Sequence, residues 1–224
     1  MSVRHDLPHP YTCSIMTSRA ALSWLVLLPC VLGALGLFLA RRAGDGTPGF
    51  YALTVVTAVI YAAAWWVWGD RGAFRNAGAG DVARGAAVGA ALAVVFMLGA
   101  LVVRCIPFLA EPVHELLSMP SAGGWAPTVA VLIINGIGEE LVYRGAVPHQ
   151  LRGRFSELGV GALSTLLYCV VTIAMGVPLL VFAAGVLGAV CFIEASRTRG
   201  LLSPVAVHLT WSTTMLVAMP LVLR

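Results

Sequence analysis

Residues 135–145 read N-G-I-G-E-E-L-V-Y-R-G, directly after an almost wholly apolar run from Ala126 to Ile134. Glu140 and Arg144 are four apart, so on a helix they sit one turn above each other and can pair. Adjacent helical residues point about 100° apart, so Glu139 cannot share that partnership fully. An unpaired ionised carboxylate is expensive inside a bilayer, and ionisable groups there usually mark function. Glu139 is therefore expected either to be protonated or to face a water-filled cavity, and both conditions suit a general base. Gly136 and Gly138 let a partner helix or a substrate backbone come close.

Three more polar residues fall at a compatible depth. The motif helix is expected over 126–148, which sets Glu139 about nine residues, or roughly 13 Å, from the end near 148. The last apolar run enters from that end near Ser203-Pro204. It places His208 about a turn deep and Ser212 one turn further along the same face. Thr172 lies well inside a run that also starts at that end. Each has a plainer reading: a lone membrane histidine often only bonds a neighbouring helix, and Ser or Thr commonly bonds its own helix carbonyls. The constellation carries more weight than any member of it.

Composition says what must hold these residues. The chain has 224 residues, 59% hydrophobic and 11% charged, and its mean hydropathy is +0.91. Soluble domains carry roughly 25% charged residues, so an ordinary aqueous surface is excluded and an integral membrane protein is indicated. All basic residues are arginine, and the net charge of +4 is no argument for nucleic acid, because most arginines sit in short loops between apolar runs. The five cysteines (Cys13, Cys30, Cys105, Cys169, Cys191) show no C-x-x-C pairing and read as small membrane-helix residues rather than a disulfide or zinc framework.

A span needs about 20 mostly apolar residues. Hydropathy predicts seven: 22–40, 50–68, 85–103, 126–148, 158–176, 178–194 and 203–223. The fold class expected is thus all-α, a polytopic membrane helix bundle, with a polar N-terminal tail over 1–21 and a single transmembrane domain over 22–224. Met16 could be the true start in place of Met1. Met175-Gly176-Val177-Pro178 should be a tight turn joining a helix hairpin. Segment 105–120, broken by Pro107 and Pro112, is expected to lie at the interface. Gly85 to Ala93 looks like a close helix-packing surface. With seven spans, ten arginines fall at one end and four at the other. The positive-inside rule then puts the arginine-rich end and the N-terminus in the cytoplasm.

The residues also resemble a known family. Glu139-Glu140-Leu141-Val142-Tyr143-Arg144-Gly145 is similar to the E-E-x-x-x-R motif of the CPBP family, the CAAX-protease and bacteriocin-processing intramembrane endopeptidases. Leu163 to Thr172 resembles its second motif, F-x-x-x-H, and Arg199 to Ser212 its third, H-x-x-x-N. The motifs fall in the family's order across 126–223. The resemblance implies that Glu139 and the second-motif histidine activate water for attack on a peptide carbonyl. It also implies that the third-motif histidine, here His208, and asparagine hold the oxyanion. This chain has Tyr168 for the phenylalanine, Thr172 for the second-motif histidine and Ser212 for the asparagine. His149 lies just past the motif helix and is not expected to substitute. Glu139 alone can act as base, with His208 and Ser212 as oxyanion donors. Catalytic zinc takes three protein ligands, and Thr172 removes one, so neither metal nor cofactor is expected.

The expected function is hydrolysis of a peptide bond in a membrane-embedded or membrane-delivered substrate, near the cytoplasmic face of a bacterial plasma membrane. Glu139, Glu140, Arg144, His208, Thr172 and Ser212 form the site. One alternative is an inactive relative acting as a membrane binding or scaffold protein. The other is a small transporter with Glu139 as a proton or cation site, which would need polar residues at matching depth on several helices, and the first three spans offer almost none.

Overall fold

The computed structural model describes residues 24–75 and 78–223. The tail 1–21, the alternative starts Met1 and Met16, and Cys13 lie outside the described residues.

Helix ends follow from local chemistry. After a 3₁₀ turn over Trp24–Leu27, α1 runs Leu28–Ala43 and α2 runs Pro48–Trp68. Thr47 caps α2 by accepting from the Phe50 amide at 3.2 Å, and Pro48 follows at the first helical position, where its missing N–H costs nothing. α3 covers Ala79–Val103. Two short helices then follow, α4 (Pro107–Leu117) and α5 (Met119–Gly123). α6 (Trp125–Glu140) passes into a π-helical turn over Leu141–Ala146 and on into α7 (Val147–Leu151). Ser156 caps α8 (Glu157–Thr172) by accepting from Gly159. Gly176, left-handed at φ 69°, turns the chain into α9 (Pro178–Thr198), and α10 (Leu202–Val222) is last.

Seven of these stretches are long and apolar enough to cross a membrane: 25–43, 48–68, 79–103, 125–151, 157–175, 178–198 and 202–222. All seven expected spans are present, each shifted by a few residues. The described residues form no strand. Side chains such as Val31, Val56, Leu98, Val170, Phe182 and Val217 are exposed on the outside of the bundle, as lipid-facing positions should be. Segment 105–120 is helical and too short to span.

Two packed groups make the interior. One joins α1, α2, α8 and the motif segment around Tyr61, Tyr143 and Tyr168. The other joins α3, α9 and α10 around Leu187, Val207 and Trp211. α3 and α10 approach closely because Gly85 and Gly89 face the backbone of Ser203 and Val207, where a Cβ would collide. That bears out the small-residue packing surface expected from the sequence. Arg84 of α3 donates to both oxygens of Glu194 on α9, at 2.7 and 3.1 Å, and Ser203 of α10 donates to the same carboxylate at 3.0 Å. Three spans are tied at that end.

Candidate active site

The motif residues come together where the two packed groups meet. Glu139 is nearly buried and Glu140 fully so. Glu139 sits twelve residues before Leu151 and fourteen after Trp125 within its span. The helix outlasts the expected end at 148, so the carboxylate stands at mid-span rather than nearer one face.

Four residues fix the two glutamates. Asn135 Nδ2 donates to Glu139 Oε1 at 2.7 Å, and the Tyr168 hydroxyl donates to Oε2 at 2.6 Å. His208 Nε2 lies 3.7 Å from that same Oε2. The other ring nitrogen, Nδ1, is hydrogen-bonded to Glu140 Oε1 at 2.7 Å. Arg144 Nε stands 3.2 Å from Glu140 Oε2. This is an ion pair rather than an aligned hydrogen bond, since Oε2 has no hydrogen-bond partner among the described residues. The i,i+4 pairing of Glu140 with Arg144 is thus present, and His208 is a second partner that spacing alone could not reveal.

The two motif glycines make room for these contacts. A Cβ on Gly136 would fall 3.1 Å from Leu209 and 3.5 Å from the His208 ring; one on Gly138 would fall 3.2 Å from Tyr61. α10 and α2 are the partner helices that these glycines admit.

The π-helical turn has a local cause. In its wider register the Val147 amide bonds the Val142 carbonyl, and the next residue, Pro148, has no N–H to offer Tyr143. The Tyr143 carbonyl is taken instead by the Ser164 hydroxyl of α8. Such turns recur at functional sites, and this one sets where Arg144 points. Its guanidinium lies 4.9 Å from the centre of the Tyr168 ring, over which it stacks. Tyr168 therefore touches Glu139 with its hydroxyl and Arg144 with its face.

A cavity of about 210 Å³ opens beside Glu139. Asn135, Tyr168, Thr172, His208 and Ser212 reach its wall, as do Leu116, Leu117 and Met119 from the α4–α5 segment. That segment is thus a wall of the cavity as well as a connection. Most of the lining comes from the halves of the spans nearer the 104–124 connection, the end poorer in arginine, with Glu139, His208 and Trp211 at its deep end. The Thr172 hydroxyl donates to the Tyr168 carbonyl of its own helix at 2.8 Å, the plainer arrangement for a membrane threonine. His149 is exposed at the other end and lines a different cavity.

Sequence reasoning missed Asn135 and Ser164 and undervalued Tyr168. The i,i+4 spacing of Asn135 to Glu139 was a usable signal. Nothing in the sequence pointed to Ser164.

A second, apolar cavity of about 330 Å³ lies among α3, α4, α9 and α10. It shares Leu116, Leu117, Leu180, Trp211 and Met215 with the polar one.

No curated protein and no solved structure matches this chain. Residues 121–214 match the family model described as Type II CAAX prenyl endopeptidase Rce1-like. The match covers α6 to α10 up to Thr214, so it takes in Glu139, Arg144, Tyr168, Thr172, His208 and Ser212. The matched segment, which supplies most of the cavity's polar lining, is thus similar to the Rce1-like family, the CAAX-protease group that its motifs resemble.

Proposed function

We propose that this protein is an intramembrane endopeptidase that hydrolyses a peptide bond of a membrane-associated substrate. One observation carries the reading: His208 Nε2 and the Tyr168 hydroxyl converge on Glu139 Oε2 at the wall of a cavity, while Glu140 holds the far side of the same imidazole. That is a base, a polarising group and an orienting partner in one place.

In the proposed reaction Glu139 takes a proton from water as the oxygen attacks the substrate carbonyl. With Nδ1 hydrogen-bonded to Glu140, His208 turns Nε2 toward Glu139 and the cavity. The ring and the Ser212 hydroxyl then receive the oxyanion. Collapse of the intermediate passes the proton from Glu139 to the leaving amine. Thr172 positions water without exchanging its proton. The adjoining apolar cavity suits a substrate with an apolar chain beside its scissile bond, in keeping with the prenyl endopeptidases of the matched family.

The bilayer is the proposed setting, a bacterial plasma membrane with the N-terminus in the cytoplasm. Two expectations from the sequence then pull apart. An arginine-rich end in the cytoplasm turns the mouth beside Glu139 outward, whereas a cut near the cytoplasmic face needs that mouth to face inward.

A second reading, an inactive relative acting as a binding partner, is favoured by the Thr172 hydroxyl turned back onto its own helix. The experiment that separates them is Glu139→Gln, with membrane peptides and small membrane proteins followed by mass spectrometry. Accumulation of an uncut precursor at unchanged protein level supports the peptidase. An unchanged peptide profile, with partners still captured, supports the binding protein.

A further inference from the structure

Another open cavity, about 330 Å³, lies at the arginine-rich end, with Arg144 and Gly145 in its lining. The Arg144 side chain is only 1% exposed. Its Nε faces Glu140, yet neither Nη1 nor Nη2 has a hydrogen-bond partner among the described residues. A guanidinium offers five N–H donors in a rigid planar fork, and leaving buried donors unsatisfied costs about 1–3 kcal/mol or more. These two nitrogens need an acceptor, and Arg144 is among the residues that line the cavity.

The surroundings favour an anion. Arg152, His149 and Arg199 line the same cavity, with Asp70 and Glu157 as its carboxylates. Both carboxylates are engaged: Glu157 pairs with Arg152 at 3.3 Å, and Asp70 accepts from the Gly72 amide at 2.7 Å. Arg199 is also held left-handed, φ 52°, at the end of α9, where glycine is the usual occupant.

We propose that this cavity binds a phosphate-class oxyanion, whose oxygens are shared between Nη1 and Nη2 of Arg144 and the guanidinium of Arg199. The planar fork matches such oxygens in pairs. Basic hollows between spans take phospholipid headgroups, and free phosphate offers the same chemistry. The proposal does not depend on peptidase activity. It gives Arg144 two duties, Glu140 on one side and the anion on the other.

The test measures thermal stability of the purified full chain with two probes. One is inorganic phosphate against chloride at equal ionic strength, in detergent. The other is nanodiscs of phosphatidylcholine with and without phosphatidylglycerol. Arg144→Gln strands Glu140 and can fail to fold, so the variants are Arg199→Gly, which relaxes the left-handed residue, and Arg152→Gln. Saturable stabilisation by phosphate, with affinity about tenfold weaker in Arg199→Gly, a loss of about 1.4 kcal/mol, identifies a free anion as ligand. Stabilisation by phosphatidylglycerol alone, reduced in the same variant, identifies a headgroup. The proposal is overturned if neither probe stabilises the wild type, or if both variants respond as the wild type does.

Discussion

The imidazole of His208 bridges from α10 to Glu140 on α6 through a 2.7 Å hydrogen bond, and both groups are buried. That contact makes the second glutamate more than a helix lock. It fixes the ring whose other nitrogen faces Glu139, and it shares a carboxylate with Arg144.

Removing the charge at Glu140 should therefore unfold more than it inactivates. Glu140→Gln leaves Arg144 buried without its counter-ion, and breaking such a pair costs about 3–5 kcal/mol. Unfolding of the purified protein in mixed micelles should show a loss of that order. Glu139→Gln, which can keep its bond to Tyr168, should lose less than half as much.

On the proposed alignment with the family's second motif, Thr172 takes the place of a histidine, and it is buried against the cavity. Thr172→His places an imidazole at that wall, with about 210 Å³ of space beside it. A positioned acid–base group contributes roughly 10²–10⁴-fold. Cleavage of a membrane peptide in proteoliposomes should rise about a hundredfold over the wild type. No gain in a well-folded variant would count against the catalytic role given to this cavity.

Ser164→Ala tests the π-helical turn. The Tyr143 carbonyl then loses its partner inside the bundle, a penalty of about 1–3 kcal/mol. Ser164→Thr keeps the hydroxyl and should recover most of it. Thermal unfolding of both variants in one detergent reads the difference.

Sidedness can be read from a native residue. Cys105 is exposed at the end onto which the Glu139 cavity opens. With Cys105 as the sole cysteine, intact cells should label with a membrane-impermeant maleimide if the arginine-rich end is cytoplasmic. Labelling only after permeabilisation would place the mouth on the cytoplasmic side.

Much of this was legible in the sequence because hydropathy over twenty residues is a coarse signal that packing rarely overrides. The seven spans, the Gly176 turn and the Gly85–Gly89 surface all followed from it. Glu140 with Arg144 was legible because four-residue spacing is local geometry. What could not be read depends on helix rotation across the bundle. The phase that turns His208 toward Glu140 depends on how α10 packs against α3, α6 and α9, and the Tyr168 phenol reaches Glu139 from another helix, α8. The π-helical turn was hidden because its cause is split between Pro148 and a serine on another helix.

Glu139 lines one cavity and Arg144 another, at opposite ends of the bundle. Glu140, next to Glu139 in the chain, pairs with Arg144 at 3.2 Å, so little more than that pair parts the two lining residues. A barrier so thin in hydrocarbon cannot rely on greasiness to stop protons leaking down their gradient. A fixed guanidinium can, since it repels hydronium and metal cations alike. A folded Arg144→Gln variant is therefore expected to raise proton leak across proteoliposomes, whatever the neighbouring carboxylate does to a substrate.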